Sequence, residues 1–243
     1  MRRALRLALW VTVGVVIVLV GLGTWAYFAA RHVPQFYEQA LQVEPQQLEA
    51  ASDEMVRQTT ELVSHANTKG SWEVRFTAEQ INGWLAVDLP RNHRGTLPKA
   101  FRDPRVAIAA DGVQLACRYE TDWVSTVASL HLDLSLREPN TLAVRFRKAR
   151  AGSLPLPLKD ILDQLSRAAR EASLRLTWET IEGDPVGVLT MPAMRDGERN
   201  VMVLLDALEL RQGEIYLRGR TQPAGALTAG RVVHQLPFQL NFQ

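Results

Sequence analysis

The apolar positions of this chain change their spacing from segment to segment, and each spacing predicts an element. From Leu7 to Ala30 they are nearly continuous, a run of twenty-four residues without a charge that includes LALWVTVGVVIVLVGLG. At about 1.5 Å per residue this is a helix of roughly 36 Å, enough to span a hydrocarbon core of about 30 Å. Val33 to Val43 then reads as a short connector. Glu44-Pro45 opens a helix in which Leu48, Ala51, Met55, Thr59, Leu62 and Ala66 recur at steps of three and four, with Gln47, Glu49, Asp53, Glu54, Arg57 and Glu61 opposite. Gly70 suits its end, since glycine accepts a left-handed cap.

In WEVRFTAEQINGWLAVDLP the period switches from that of a strand to that of a helix. Trp72, Val74 and Phe76 alternate; Thr77 with Gln80 makes a capping box, and Phe76 with Ile81 a hydrophobic staple. The helix is expected to run to about Val87 and to stop before Pro90. RNHRGTLPKAFRDP reads as a loop. Alternation resumes in RVAIAADGVQLACRYE, a hairpin expected to turn at Asp111-Gly112 and to set Val106 against Cys117 and Ile108 against Leu115. Trp123 to Leu136 then alternates throughout, about 46 Å if extended, against a diameter near 43 Å for a compact domain of about 200 residues. Such a strand crosses the whole domain or bends.

TLAVRFRKAR continues the pattern with Leu142, Val144 and Phe146 inward and Arg145 and Arg147 outward. In GSLPLPLKDILDQLSRAA a proline-stiffened apolar lip leads into an amphipathic helix, and LRLTWET, VGVLTM, VMVLLDALELR and EIYLRGR follow as strands. The expected fold is α+β: a long, twisted antiparallel sheet of about eight strands, one face wet and the other covered by about three helices. Eight strands present a face about 38 Å wide and three helices cover about 30 Å of it, so a partly open groove is permitted.

Charge orients the chain. Arg2, Arg3 and Arg6 precede the apolar run, while Arg31 and His32 and then Glu38, Glu44 and Glu49 follow it, so the short N-terminus is expected in the cytoplasm. The rest is expected outside, periplasmic or extracellular, on the plasma (inner) membrane. The rival reading, a cleaved signal peptide, needs a shorter apolar core and a small-x-small site; Tyr27 and Phe28 stand where small residues belong, and TWA is a poor alternative. The expected division is a cytoplasmic N-terminus over 1–6, a signal anchor over 7–30, a connector and stalk helix over 31–70, an external domain over 71–222 and an extended tail over 223–243. Of 28 Lys and Arg against 26 Asp and Glu, three arginines lie before the span, leaving 25 against 26 outside. A near-neutral domain has no field to attract nucleic acid.

Chemistry is sparse. Cys117 is the single cysteine, which rules out an intramolecular disulfide, and it reads as a core filler. The five histidines are dispersed, without metal-ligand spacing, and no nucleophile elbow, phosphate loop or dinucleotide fingerprint is present. No cofactor, metal or catalytic residue is assigned. Two sets of side chains remain as candidates. Arg91, Arg94, Lys99 and Arg102 are either a solvated connector or contacts for anionic lipid headgroups. Leu154, Leu156, Leu158, Ile161, Leu162 and Leu165 either close the core or form the apolar rim of a groove that admits a lipid chain.

Anchor, stalk, FTAEQINGWLA and GSLPLPLKDILDQL together resemble uncharacterised bacterial signal-anchored proteins and, more loosely, the YpmS-like family. That family follows its span with a strand running into a helix, matched here by Phe76, Thr77, Gln80, Ile81, Asn82 and Leu85. The resemblance implies an envelope protein whose curved sheet around helices holds lipid, as in TULIP-type domains, and carries over no catalytic residue. The leading expectation is therefore a single-pass, non-catalytic envelope protein that binds a lipid or other amphiphile between helices and sheet. A scaffold that binds an envelope protein through the stalk helix is the alternative; a hydrolase would need a polar cluster in a cleft.

Overall fold

A computed structural model describes residues 28–66, 70–122, 124–191 and 201–223, together with Val18, Val20, Gly21, Thr24, Trp25, Thr68 and the backbone of 194–196. Among the described residues no helix is long and apolar enough to cross a membrane. Most of the expected span over 7–30, Trp123 and the tail from 224 lie outside the described residues.

The molecule is α+β and antiparallel, but it has two sheets where one was expected. Eleven strands and five helices are described. The helices are α1 (Gln35–Leu41), α2 (Pro45–Ala66), α3 (Ala78–Ala86), α4 (Asp88–Asn92) and α5 (Lys159–Glu171). The strands β1 (Gly70–Thr77), β9 (Met194–Asp196), β10 (Val201–Arg211) and β11 (Glu214–Pro223) form a sheet of order β1-β11-β10-β9. The larger sheet is ordered β2-β3-β4-β5-β8-β7, from β2 (Phe101–Ala109), β3 (Gly112–Glu120), β4 (Ser125–Glu138), β5 (Thr141–Ala151), β7 (Arg175–Ile181) and β8 (Asp184–Thr190). A two-residue β6 (Leu154–Pro155) pairs back onto β5.

Local signals formed as their chemistry dictates. The Thr77 hydroxyl accepts from the Gln80 amide at 3.2 Å and the Gln80 side chain accepts from the Thr77 amide at 2.8 Å, the reciprocal capping box. β4 is fourteen residues long, and bulges at His131/Leu132 and Leu136/Glu138 in its pairing with β5 let it bend.

Several expectations are corrected. The β2–β3 hairpin turns one residue earlier, through Ala110 and Asp111, so Val106 faces Leu115 and Ile108 faces Val113. This shift of two in register keeps each side chain on its expected face. On α2 the inward stripe passes through Gln58 while Thr59 is exposed, because Ser52 is buried deeply against Gly83 of α3 and turns the contact line. Where the chain was expected to leave helix before Pro90 and enter a loop at Arg91, α4 runs from Asp88 to Asn92 with Pro90 accommodated in its first turn. The connector folds as α1, whose Tyr37 packs with Ala116 and Val127 and with the half-buried Val33, Phe36 and Leu41.

Two asparagines tie the layers. Asn82 of α3 accepts from Val106 N–H at 2.7 Å and donates to Val106 C=O at 2.9 Å, standing in for a neighbouring strand along the edge of β2. Asn140, in the β4–β5 turn at a φ of 62°, accepts from Leu205 N–H at 2.7 Å and donates through its own N–H to Leu205 C=O at 3.1 Å. It joins the larger sheet to β10 of the smaller one.

Candidate functional site

One end of the larger sheet collects the segments that matter. Strand register places Phe101, Tyr119 and Thr126 side by side there, with Ala151 and β6 across β4. The last residues of the N-terminal apolar run reach the same end. Thr126 Oγ1 donates to Ala30 C=O at 2.6 Å and Ser153 N–H donates to Ala29 C=O at 2.7 Å. Gly152 sits in the left-handed region at φ 60°, and a Cβ there would collide with the carbonyls of Ala29 and Ala30. Glycine is required both by the turn and by this close approach.

The lip is thus a tight hairpin, with Ala151 paired to Leu154 and Arg150 to Pro155. The helix after it starts at Lys159 with Leu158 as its N-cap, two residues beyond the expected Pro157. Its apolar stripe is split. Leu162, Ser166 and Ala169 turn inward, with Trp178 Nε1 donating to Ser166 Oγ at 2.8 Å, while Leu165 is 39 % exposed beside half-buried Ile161 and Leu158. Leu154 and Leu156 are half-buried in the hairpin.

A groove of about 410 Å³ opens between α3, α4, the following loop and β2, within the usual range of about 300–1,000 Å³ for ligand pockets. Its apolar walls are Leu85, Ala86, Leu89, Pro90, Leu97 and Phe101. Local structure fixes each of them. The capping box starts α3, Asn82 clamps that helix to β2, and Phe101 packs its ring on Tyr119 at 5.2 Å. The loop is held by His93, which packs on Trp84 at 5.4 Å and approaches Asp88 at 3.2 Å.

The polar lining includes Arg94, Arg102, Asp103 and Arg105. Arg105 is 6 % exposed. Its Nε donates to Ala40 C=O at 3.3 Å and its Nη1 to Pro104 C=O at 2.8 Å, and it forms no ion pair among the described residues. Burial pulls its pKa below the ordinary arginine value, opposed by the charge of Asp103. The Asp103 carboxylate lies 3.6 Å from Arg118, and its backbone carbonyl accepts from the Tyr37 hydroxyl at 2.9 Å. Desolvation, with help from Asp103, pushes the Tyr37 hydroxyl up to about 12.

Two of the four candidate headgroup contacts, Arg94 and Arg102, line this groove; the other two do not. Arg91 reaches instead to Glu49 of α2 at 3.1 Å, and Lys99 is exposed on the loop. None of the six lip and α5 residues lines it. Arg105 was legible only as the first residue of a strand, and nothing in a period of two marks a buried cation. Leu85 entered only through the resemblance, and Leu89, just before Pro90 where the helix was expected to stop, was not singled out.

Among the described residues no three His, Cys, Asp or Glu side chains are grouped to hold a metal ion. Burial raises the Cys117 thiol to about 11, so it stays protonated near neutrality and is a poor nucleophile. His131 is 3.9 Å from Asp133 on the sheet surface, beside a shallow concavity of about 210 Å³. Apolar walls of this kind offer contacts to an apolar chain, and arginines can pair with an anionic group. Compared with known proteins, the chain matches no family model, no curated sequence and no solved structure.

Proposed function

We propose that this chain is a single-pass, membrane-anchored envelope protein that performs no covalent chemistry and binds a lipid or other amphiphile in a groove between helices and sheet. Residues 7–30 form its anchor, residues 1–6 lie in the cytoplasm and the described domain lies outside. The single observation that carries the reading is the apolar groove at the end of the sheet where Ala29 and Ala30 dock. A lipid of the adjoining leaflet would enter at that end, where Leu97 and Phe101 line the groove. Photo-crosslinking of the full chain in vesicles with a diazirine-bearing acyl lipid, followed by peptide mapping, tests it. Adducts on residues 85–101 are expected; adducts confined to residues 7–30 would refute the groove.

The scaffold reading has one observation in its favour. Val56 and Val63, seven residues apart on α2, are 42 % and 54 % exposed. Seven residues is close to two helical turns, so both project from one side. In-membrane crosslinking from Asp53 or Arg57 that yields a discrete protein adduct would support a partner there; its absence counts against one.

A further inference from the structure

We infer that the groove between α3, α4 and β2 selects an amphiphile with an anionic head, a phosphate or carboxylate, held by Arg105, Arg94 and Arg102 with its chain against the apolar walls. This rests on the lipid-binding reading above and names its ligand class. The lining residues include three arginines against one aspartate. That carboxylate, on Asp103, already faces Arg118, and Arg102 has Glu120 at 3.5 Å, whereas Arg94 and Arg105 form no ion pair among the described residues.

Arg105 carries the argument. A buried guanidinium is expensive to desolvate, and it is tolerated only where surrounding groups compensate its charge. Here the compensation is two backbone carbonyls and the nearby charge of Asp103, and the fork retains further N–H donors with the geometry that pairs two-point with phosphate or carboxylate. One of those carbonyls belongs to Ala40 of α1, the helix that begins five residues after Ala30. The cationic floor is therefore tied to the segment that leaves the apolar run, where headgroups of the outer leaflet would lie. A free inorganic anion would satisfy the arginines but leave Leu85, Leu97 and Phe101 wet; a zwitterionic head would bring its own cation to a site already in positive excess.

The test uses the full chain in a non-ionic detergent, titrated by calorimetry with dioctanoyl phosphatidylglycerol, dioctanoyl phosphatidylcholine and inorganic phosphate. The anionic lipid should bind saturably and at least about tenfold more tightly than the zwitterionic one, and phosphate alone should not bind. Arg94→Gln combined with Arg102→Gln, both at exposed positions, should weaken the anionic lipid at least about fivefold at an unchanged Tm. Arg105→Met should abolish the preference; if that variant does not fold, the exposed pair still decides. Equal binding of the two lipids overturns the inference while leaving the groove a lipid site. Binding of neither lipid overturns both readings. Phosphate binding as tightly as the anionic lipid makes this a free-anion site and overturns the amphiphile.

Discussion

Asn82 does at one position what a whole strand would otherwise do. Its amide satisfies both backbone groups of Val106 on the outer edge of β2, and the residue is only 9 % exposed. Asn82→Ala should cost about 1–3 kcal/mol, because a half-buried N–H and C=O lose their partner together; a shift in the thermal or denaturant midpoint of the full chain in detergent measures it. Tyr37 makes a second prediction. Its folded pKa, about 12, lies above its ordinary 10.0, so the folded state holds the proton more tightly than the unfolded chain. The stabilisation is complete below about pH 10 and is lost as pH rises towards 12. Tyr37→Phe should flatten that part of the alkaline stability profile, and an unchanged profile would assign the loss to other groups.

At the scale of elements, α2 and α3 meet through a glycine. A Cβ on Gly83 would stand 2.6 Å from Ser52 N, 2.7 Å from Leu48 O and 2.8 Å from Ala51 Cβ, and two of those atoms are backbone that cannot swing away. Gly83→Val should destabilise the molecule by about 1–3 kcal/mol through overpacking, read as a lower Tm with the far-ultraviolet helical signal retained. What was legible in the sequence at this scale was what neighbours in the chain decide. Thr77 and Gln80 are three residues apart, and their capping box formed as expected. The pairing of Gly70 with Thr221 spans most of the domain, and no local period reports it, so two sheets were read as one. The β2–β3 turn was misplaced by one residue because Asp111-Gly112 carries the stronger turn signal, while the observed turn leaves Gly112 as the first residue of β3.

For the whole molecule, the register of the larger sheet brings together segments that lie far apart in sequence. The docked end of the apolar run, the Gly152 hairpin and the groove with Arg94, Arg102 and Arg105 share one end, whereas Asn140 and the β4–β5 turn lie at the other. Basic residues in the loop were legible as candidates, because charge is visible in composition. Arg105 was not, since its burial follows from α1 folding over β2 and from the carbonyl of Ala40. The central claim, that this end faces the bilayer, has a direct measurement. The full chain with Cys117→Ala is placed in vesicles containing spin-labelled lipid, and a fluorophore is attached through either Leu97→Cys or Glu138→Cys. Strong quenching at position 97 with little at 138 is the predicted result; equal quenching at both positions, or stronger quenching at 138, would contradict it.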